Sequence, residues 1–542
     1  MRATLRIVLV AVLAVAGCAT RTGATTSQDS EPEVIRFDRH DIETGIAGPQ
    51  VVLAGRLLGG AWAELAVIHA DADGNHTARI FGYDGDKWTV VLEHPLGPDV
   101  RWVDLLTIDG RDRLLLYTPG QLSRIDLRSG TIEPVVEVTS VFAPPDRSDP
   151  LHVDVTHDVT GDGRDDLVVP VGAGFSVSVQ QPDGELADPV LIETAIRMER
   201  IYGSDGSRFD PWSESRVHRL DHDLDGRSDL AVWRGDHFAV HRLRENGRIA
   251  AAPRSVPIAP AFDADHLSWL TEGALEGYLL RTVADLNGDG RDDLVAHRLD
   301  GARRRSAIEV YLGTDGPRRT LGWSATPDVV LPSQDQLQLD VSTVELDRTR
   351  PPALLATTLD DGGFQSGFWR RLKGAMGDDL WLHLEFRRFD SDLSGVPVAT
   401  ERVALDGSPS NREPMWIPLV QALRGGRHQV RPEDSPYPRA FNRTHLMGDL
   451  TGDGRTDLLL EWTHERLGLY RGVSGPAPFA DEAQELMVPV PHDGELSWLT
   501  HIDGDDALDL VLHHTRWSKD IHGGPTEPPG SEPTRVILLL AE

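Results

Sequence analysis

Apolar residues in this chain come in short runs, mostly alternating with polar ones, and turn-forming residues break the runs every few positions. Residues 151–194 show the pattern. "LHVDVTHDV" alternates, an acidic glycine-rich segment follows, then come "DLVVPVG", "FSVSVQQ", a "PDG" turn and "PVLIET". A period of two over runs this short predicts strands rather than helices. The unit therefore reads as four short strands, A to D, with turn chemistry between them.

The unit recurs. The residue just before each second apolar run falls at 64, 113, 166, 229, 293, 353, 457 and 509, which gives spacings of 49, 53, 63, 64, 60, 104 and 52 residues. A repeat of roughly 50–60 residues holding four strands is the pattern of a β-propeller blade. The expectation is an all-β propeller of about eight blades, with seven as the alternative. The long spacing marks an insertion at about 360–440. The final unit supplies strands A, B and C ("ELSWLTHI", "LDLVLHH", "TRVILLLAE"), and "EVIRFDRH" at 33–40 precedes the first. Used as strand D of the last blade, that segment closes the ring and leaves no open sheet edge.

The A–B connection carries the candidate chemistry. Four copies read D-x-[DNT]-x-D-G-R-x-D-L, beginning at Asp158, Asp221, Asp285 and Asp449. Positions 1, 3, 5 and 9 offer side-chain oxygens, and position 7 offers its carbonyl. The sets are Asp158, Thr160, Asp162, Arg164 and Asp166; Asp221, Asp223, Asp225, Arg227 and Asp229; Asp285, Asn287, Asp289, Arg291 and Asp293; and Asp449, Thr451, Asp453, Arg455 and Asp457. Several hard oxygen ligands on a tight loop favour Ca²⁺, here about four ions. The position-7 arginine side chain is left free to offset the acids. A fifth, degraded copy keeps Asp503, Asp505 and Asp509 but has His501 at its first position. An EF-hand is excluded, because position 12 is Val169, Val232, Ala296 or Leu460 inside an apolar run and no helix follows. The competing reading is an acidic turn without metal. Like charges held so close repel badly without a cation.

Composition adds two limits. The formal net charge is −32, which disfavours nucleic acid and anionic membrane surfaces as direct partners. Cys18 is the sole cysteine, and it ends "MRATLRIVLVAVLAVAGC": Arg2 and Arg6, an apolar run, then Val-Ala-Gly-Cys. That is the layout of a signal peptide over residues 1–17. It resembles a bacterial lipobox, which implies lipidation of Cys18 and membrane anchoring through the N-terminal lipid. Residues 18–32 read as a flexible tether. Ala19 after the cysteine implies, by the same resemblance, an outer-membrane lipoprotein, facing either the periplasm or the outside.

The acidic loops and their spacing resemble the FG-GAP/VCBS repeats of integrin α-subunit propellers and of many bacterial surface proteins. The resemblance covers nearly everything from residue 33 to 542, by repeat rather than by overall identity. It implies a propeller with Ca²⁺ in the A–B loops of some blades, as structural staples. The dipeptides that name the family are mostly absent (one Phe-Gly, at Phe81-Gly82), and three units lack plausible ligands.

In such propellers a ligand sits on the face opposite the A–B loops. The long segments expected there are 195–216, 258–276, 360–380, 405–440 and 513–533. Trp212, Trp269, Trp369, Arg370, Arg371 and Tyr437 are the candidate contacts for a glycan or protein, against the plainer reading that they pack their own loops. No P-loop, dinucleotide fingerprint, H-E-x-x-H or G-x-S-x-G is present. The expected role is a non-enzymatic binding or adhesion module. The alternatives are a secreted carbohydrate-active enzyme (polysaccharide lyase or hydrolase) and a purely structural envelope protein. A polar cleft near the central channel with paired carboxylates or a His/Arg/Tyr group would favour the enzyme.

Overall fold

A computed structural model describes residues 34–46, 50–71, 73, 75–142, 151–196, 208–212, 217–262, 268–269, 275–300, 305–317, 319–334, 337–348, 350–360, 380–389, 396–405, 445–463, 465–474, 477–491, 496–514 and 534–541. Residues 36–542 form one compact unit. No helix longer than a single turn occurs among the described residues.

Among the described residues, eight of the nine sheets stand in series as the blades of a β-propeller, antiparallel except for two short strands added in parallel to blade 2; the ninth is the two-stranded pair Thr314–Asp315 and Leu321–Gly322. Strand B of a blade begins at Glu64, Arg111, Asp166, Asp229, Asp293, Ala353, Asp457 or Asp509. These are the repeat positions read from the sequence, except that the second strand starts two residues early. The ring closes as expected. Phe37–Glu43 pairs antiparallel with Arg535–Ala541 and becomes strand D of blade 8, a few residues later than the 33–40 segment. The first strands of successive blades meet one another, as Gln50–Gly55 does with Trp102–Ile108 and Leu275–Ala284 with Leu337–Val344, so strand A lines the axis. Strand D lies outermost, and Thr131–Glu137 in blade 2 is largely exposed.

The core lies between blades. In strand B of blade 1, Leu65 and Val67 pack toward blade 8, while Ala66 and Ile68 pack toward blade 2. Blade 6 repeats the arrangement, with Leu354 and Ala356 facing blade 5 and Ala353 and Leu355 facing blade 7. A strand covered on both faces needs an unbroken apolar run, which is why "ELAVI" and "DLVLH" do not alternate. Each fully buried Leu or Ile contributes about 1.5–3 kcal/mol of transfer free energy.

One strand assignment is corrected. The sequence treats "LHVDVTHDV" as strand A of blade 3, but the chain divides it. Leu151–Val153 pairs in parallel with Trp102–Ile108 on the axial side of blade 2, and Arg208–Phe209 pairs beyond it. Only Thr156–His157 remains as strand A of blade 3. The cause is Asp104, buried in blade 2. It accepts the Val155 amide at 2.7 Å and the Thr156 hydroxyl at 3.2 Å, and its other oxygen meets His152 Nε2 at 3.0 Å.

Candidate functional site

The four acidic loops share one backbone. Positions 4 and 6 are left-handed in each: Gly161 and Gly163, Leu224 and Gly226, Gly288 and Gly290, Gly452 and Gly454. The sequence signals position 6 through its invariant glycine. Position 4 is hidden because blade 4 places a leucine there, at φ 53°.

The first aspartate organises the turn. Asp158 accepts the amides of Gly161, Asp162 and Gly163 at 2.6, 3.0 and 2.8 Å. Asp285 does the same with Gly288, Asp289 and Gly290 at 2.7, 3.1 and 2.8 Å. Asp221 and Asp449 each take the amides at positions 5 and 6. The position-3 hydroxyls of Thr160 and Thr451 turn to the first aspartate, each at 3.4 Å. In blade 4, one carboxylate oxygen each from Asp221, Asp223 and Asp225 lies within 4.8 Å of the others.

The position-7 arginines do not point away. Arg227 folds back onto Asp225 at 2.8 Å, Arg291 lies 3.3 Å from Asp289, and Arg164 and Arg455 pair with Asp162 and Asp453. The offset of negative charge is as expected, but it is delivered to the fifth carboxylate itself.

Position 9 is placed differently from the other acids. Asp166, Asp229, Asp293, Asp457 and Asp509 are at most 1% exposed. Each braces strand B to other segments of its blade. Asp166 accepts Val159 and Thr160 amides through one oxygen and the Gln180 amide through the other, at 3.1, 3.2 and 2.9 Å. Asp293 holds Leu286 and Gly313, Asp457 holds Leu450 and Gly472, and Asp509 holds Ile502 and Ala541. Asp229 accepts the Leu243 amide at 2.8 Å. Blade 8 keeps this brace although its loop has lost the motif. In blade 1, Glu64 makes a similar bond to the Leu58 amide at 3.0 Å. The ninth residue therefore has a bracing role of its own. Burial, reinforced by the carboxylates at positions 1 and 5 and only partly countered by the amides, lifts Asp166 and Asp293 to about 7. Similar surroundings lift Asp229, Asp457 and Asp509 to about 6.

Sequence reasoning passed over position 8, which links neighbouring blades. The Asp165 carboxylate accepts the Thr107 amide of blade 2 at 3.3 Å, and Asp292 accepts the Asp221 amide of blade 4 at 2.7 Å. Asp112 in blade 2 reaches the Arg56 amide of blade 1 at 2.6 Å. Thr456 donates its hydroxyl to the Glu345 carbonyl of blade 6 at 2.6 Å. Where position 8 is apolar the backbone substitutes: Leu508 donates to the Asp449 carbonyl at 2.8 Å, and Ala63 to Ile502 at 2.7 Å. The available signal was a polar residue at position 8 in all four motifs (Asp165, Ser228, Asp292, Thr456).

Among the ligand-face candidates, Trp212 is partly buried. It packs edge-on against Phe175 with ring centroids 5.0 Å apart and against the apolar cluster between blades 3 and 4. Trp269 sits in the two-residue strand Ser268–Trp269 on the axial side of blade 5. Trp369, Arg370, Arg371, Tyr437 and Cys18 lie outside the described residues, as do 197–207, 213–216, 361–379, 406–444 and 515–533 from the long segments and the insertion.

A second polar group lies on the axial side of blades 2 and 3. Beside the buried Asp104–His152 pair, His157 Nε2 stands 3.3 Å from Asp210 and 3.6 Å from Asp154. Burial lowers the His157 imidazole, but the two carboxylates outweigh it and raise the group to about 8. Burial and the Asp104 charge raise Asp154.

No protein-family model and no curated protein matches the chain. Solved structures with similarity include the Vibrio cholerae biofilm matrix protein Bap1, at 9% identity and a TM-score of 0.36, with 94% of this chain and 92% of that one covered. Sqt1 from Chaetomium thermophilum aligns at 10% identity and 0.36, over 94% and 99% of the two chains. The rhamnogalacturonan lyase YesW aligns at 14% identity and 0.28, over 66% and 58%.

Proposed function

We propose that this chain is a calcium-stapled β-propeller lipoprotein of the bacterial envelope, acting as a binding module for a glycan or a protein. The observation that carries the calcium half is the convergence of Asp221, Asp223 and Asp225 within 4.8 Å, on a backbone that three other loops repeat. Three carboxylates at that separation are mutually repulsive, and a divalent cation with oxygen ligands removes the repulsion. Positions 1, 3, 5 and 9 with the position-7 carbonyl supply the ligands, and each ion ties strand A to strand B. The role is mechanical. The lipoprotein half rests on Arg2, Arg6, the apolar run and Val-Ala-Gly-Cys18.

The test is thermal unfolding in EGTA and in millimolar Ca²⁺, with metal content measured by mass spectrometry. About four ions per chain and a higher midpoint with Ca²⁺ are expected from linkage of binding to folding. An unchanged midpoint with no bound metal refutes the staple. Screening the Ca²⁺-loaded protein on a glycan array then tests the binding role.

The second reading is a carbohydrate-active enzyme, favoured by the His157, Asp154 and Asp210 group beside the axis. New reducing ends or unsaturated sugars released from a polysaccharide panel would select it over the binding role.

A further inference from the structure

We infer that Asp154, His157 and Asp210 form a separate binding site for a zinc-class divalent ion, distinct from the calcium loops. The three residues come from three segments: the break after Leu151–Val153, strand A of blade 3, and the turn after Arg208–Phe209. One ligand atom from each lies within 4.8 Å of the other two. The separations from His157 Nε2, 3.3 Å to Asp210 and 3.6 Å to Asp154, suit a shared metal better than a hydrogen bond. Bonds of about 2.0–2.2 Å at a tetrahedral angle set neighbouring ligand atoms about 3.3 Å apart.

His157 Nε2 itself is the second observation. The atom itself is out of contact with solvent and makes no well-aligned hydrogen bond, only the ion-pair contacts to Asp210 at 3.3 Å and Asp154 at 3.6 Å. A buried ring nitrogen facing two carboxylates has to share a cation with them, either its own proton or a metal ion. The ring is also held in place, since Trp212 stacks beside it at 6.3 Å between centroids. The Asp210 side chain is fixed in turn by accepting the Trp212 amide at 3.0 Å.

The donor set selects the metal. One imidazole nitrogen and two carboxylates suit Zn²⁺ and its first-row neighbours, whereas Ca²⁺ takes oxygen alone. Three protein ligands leave a fourth position for water or for a ligand oxygen. The partial exposure of all three residues, 18–32% of each side chain, provides an opening on that side. Bound there, the ion would pin the axial strands of blades 2 and 3 to the segment that follows Arg208–Phe209.

The experiment uses the full chain, stripped with EDTA, reloaded with excess Ca²⁺ to fill the acidic loops, then titrated with Zn²⁺ and separately with Co²⁺. One Zn²⁺ per chain is expected beyond the calcium complement, with a tetrahedral Co²⁺ visible spectrum at the same stoichiometry. His157→Gln and Asp210→Asn should each weaken that binding at least tenfold and abolish the cobalt bands, while the calcium-dependent rise in thermal midpoint persists. If His157→Gln fails to fold, Asp210→Asn carries the test alone. No Zn²⁺ bound by the Ca²⁺-loaded protein overturns the proposal. So does an unchanged affinity and spectrum in the folded variants, which would place the ion at other histidines.

Discussion

Substituting Asp166 separates a brace from a metal ligand. Its carboxylate is fully buried and is the acceptor for three backbone amides, those of Val159, Thr160 and Gln180. Asp166→Ala leaves the Thr160 and Gln180 amides without a partner, while the Val159 amide keeps the His157 carbonyl at 2.9 Å. At about 1–3 kcal/mol for each of these two unsatisfied groups, the expected loss is about 2–6 kcal/mol. Asp166→Asn keeps one acceptor oxygen and turns the other into a donor facing an amide, for an expected loss of about 2 kcal/mol. The control is Asp162→Ala at position 5. That carboxylate holds only the Arg164 amide and guanidinium at the surface, so in EGTA it should cost less than about 1 kcal/mol. Urea unfolding followed by tryptophan fluorescence reads all three, in EGTA and in Ca²⁺. A brace costs its full amount in EGTA. If Asp166→Ala matches wild type in EGTA and falls behind only in Ca²⁺, position 9 is a metal ligand alone and the bracing argument is wrong.

Three further outcomes follow from other sites. Five position-9 aspartates have folded values near 6–7, above the unfolded value of about 3.9. The folded state therefore binds extra protons between about pH 4 and 7, and in EGTA their contribution to stability is lost as pH rises through that window. Since Ca²⁺ answers the same repulsion, its effect on the thermal midpoint should be small at pH 5 and large at pH 8; equal shifts at both would contradict this. His297 is buried with both ring nitrogens unpartnered, and burial holds it down at about 3. His297→Leu should raise stability by about 1 kcal/mol near neutral pH and more at pH 5, where protonation of the unfolded histidine penalises the wild type; a destabilised variant would show that the imidazole has a use. Asp292→Ala removes the acceptor for the Asp221 amide across the blade 4–5 boundary, and a loss of about 1–2 kcal/mol is expected, with faster amide exchange at Asp221. Unaltered exchange there would mean that the latch does not hold the blades.

The repeat was legible because it is local. Strand B must be apolar on both faces and must follow a tight turn, so "DGRDDLVV" and its relatives mark the blade start within a few residues. Even the motif-poor first and sixth units, at Glu64 and Ala353, are marked by the apolar run that follows at the repeat spacing. Closure by an N-terminal strand was also readable, since a final unit one strand short leaves an edge that must be paired. Three things needed the folded ring. The buried acceptor role of Asp166 and its counterparts depends on amides 14 to 32 residues away, such as Gln180 and Ala541, which no loop motif specifies. The position-8 links join residues of different blades. The division of "LHVDVTHDV" follows from Asp104, some 50 residues earlier, competing for the Val155 amide. The same division brings Asp154, His157 and Asp210 together. Sequence by itself determined what each segment can pair with locally, through alternation, turn residues and charge. Tertiary structure decided which distant donor each buried carboxylate satisfies, because that choice is made by the free energy of leaving it unsatisfied and appears only once the blades have met.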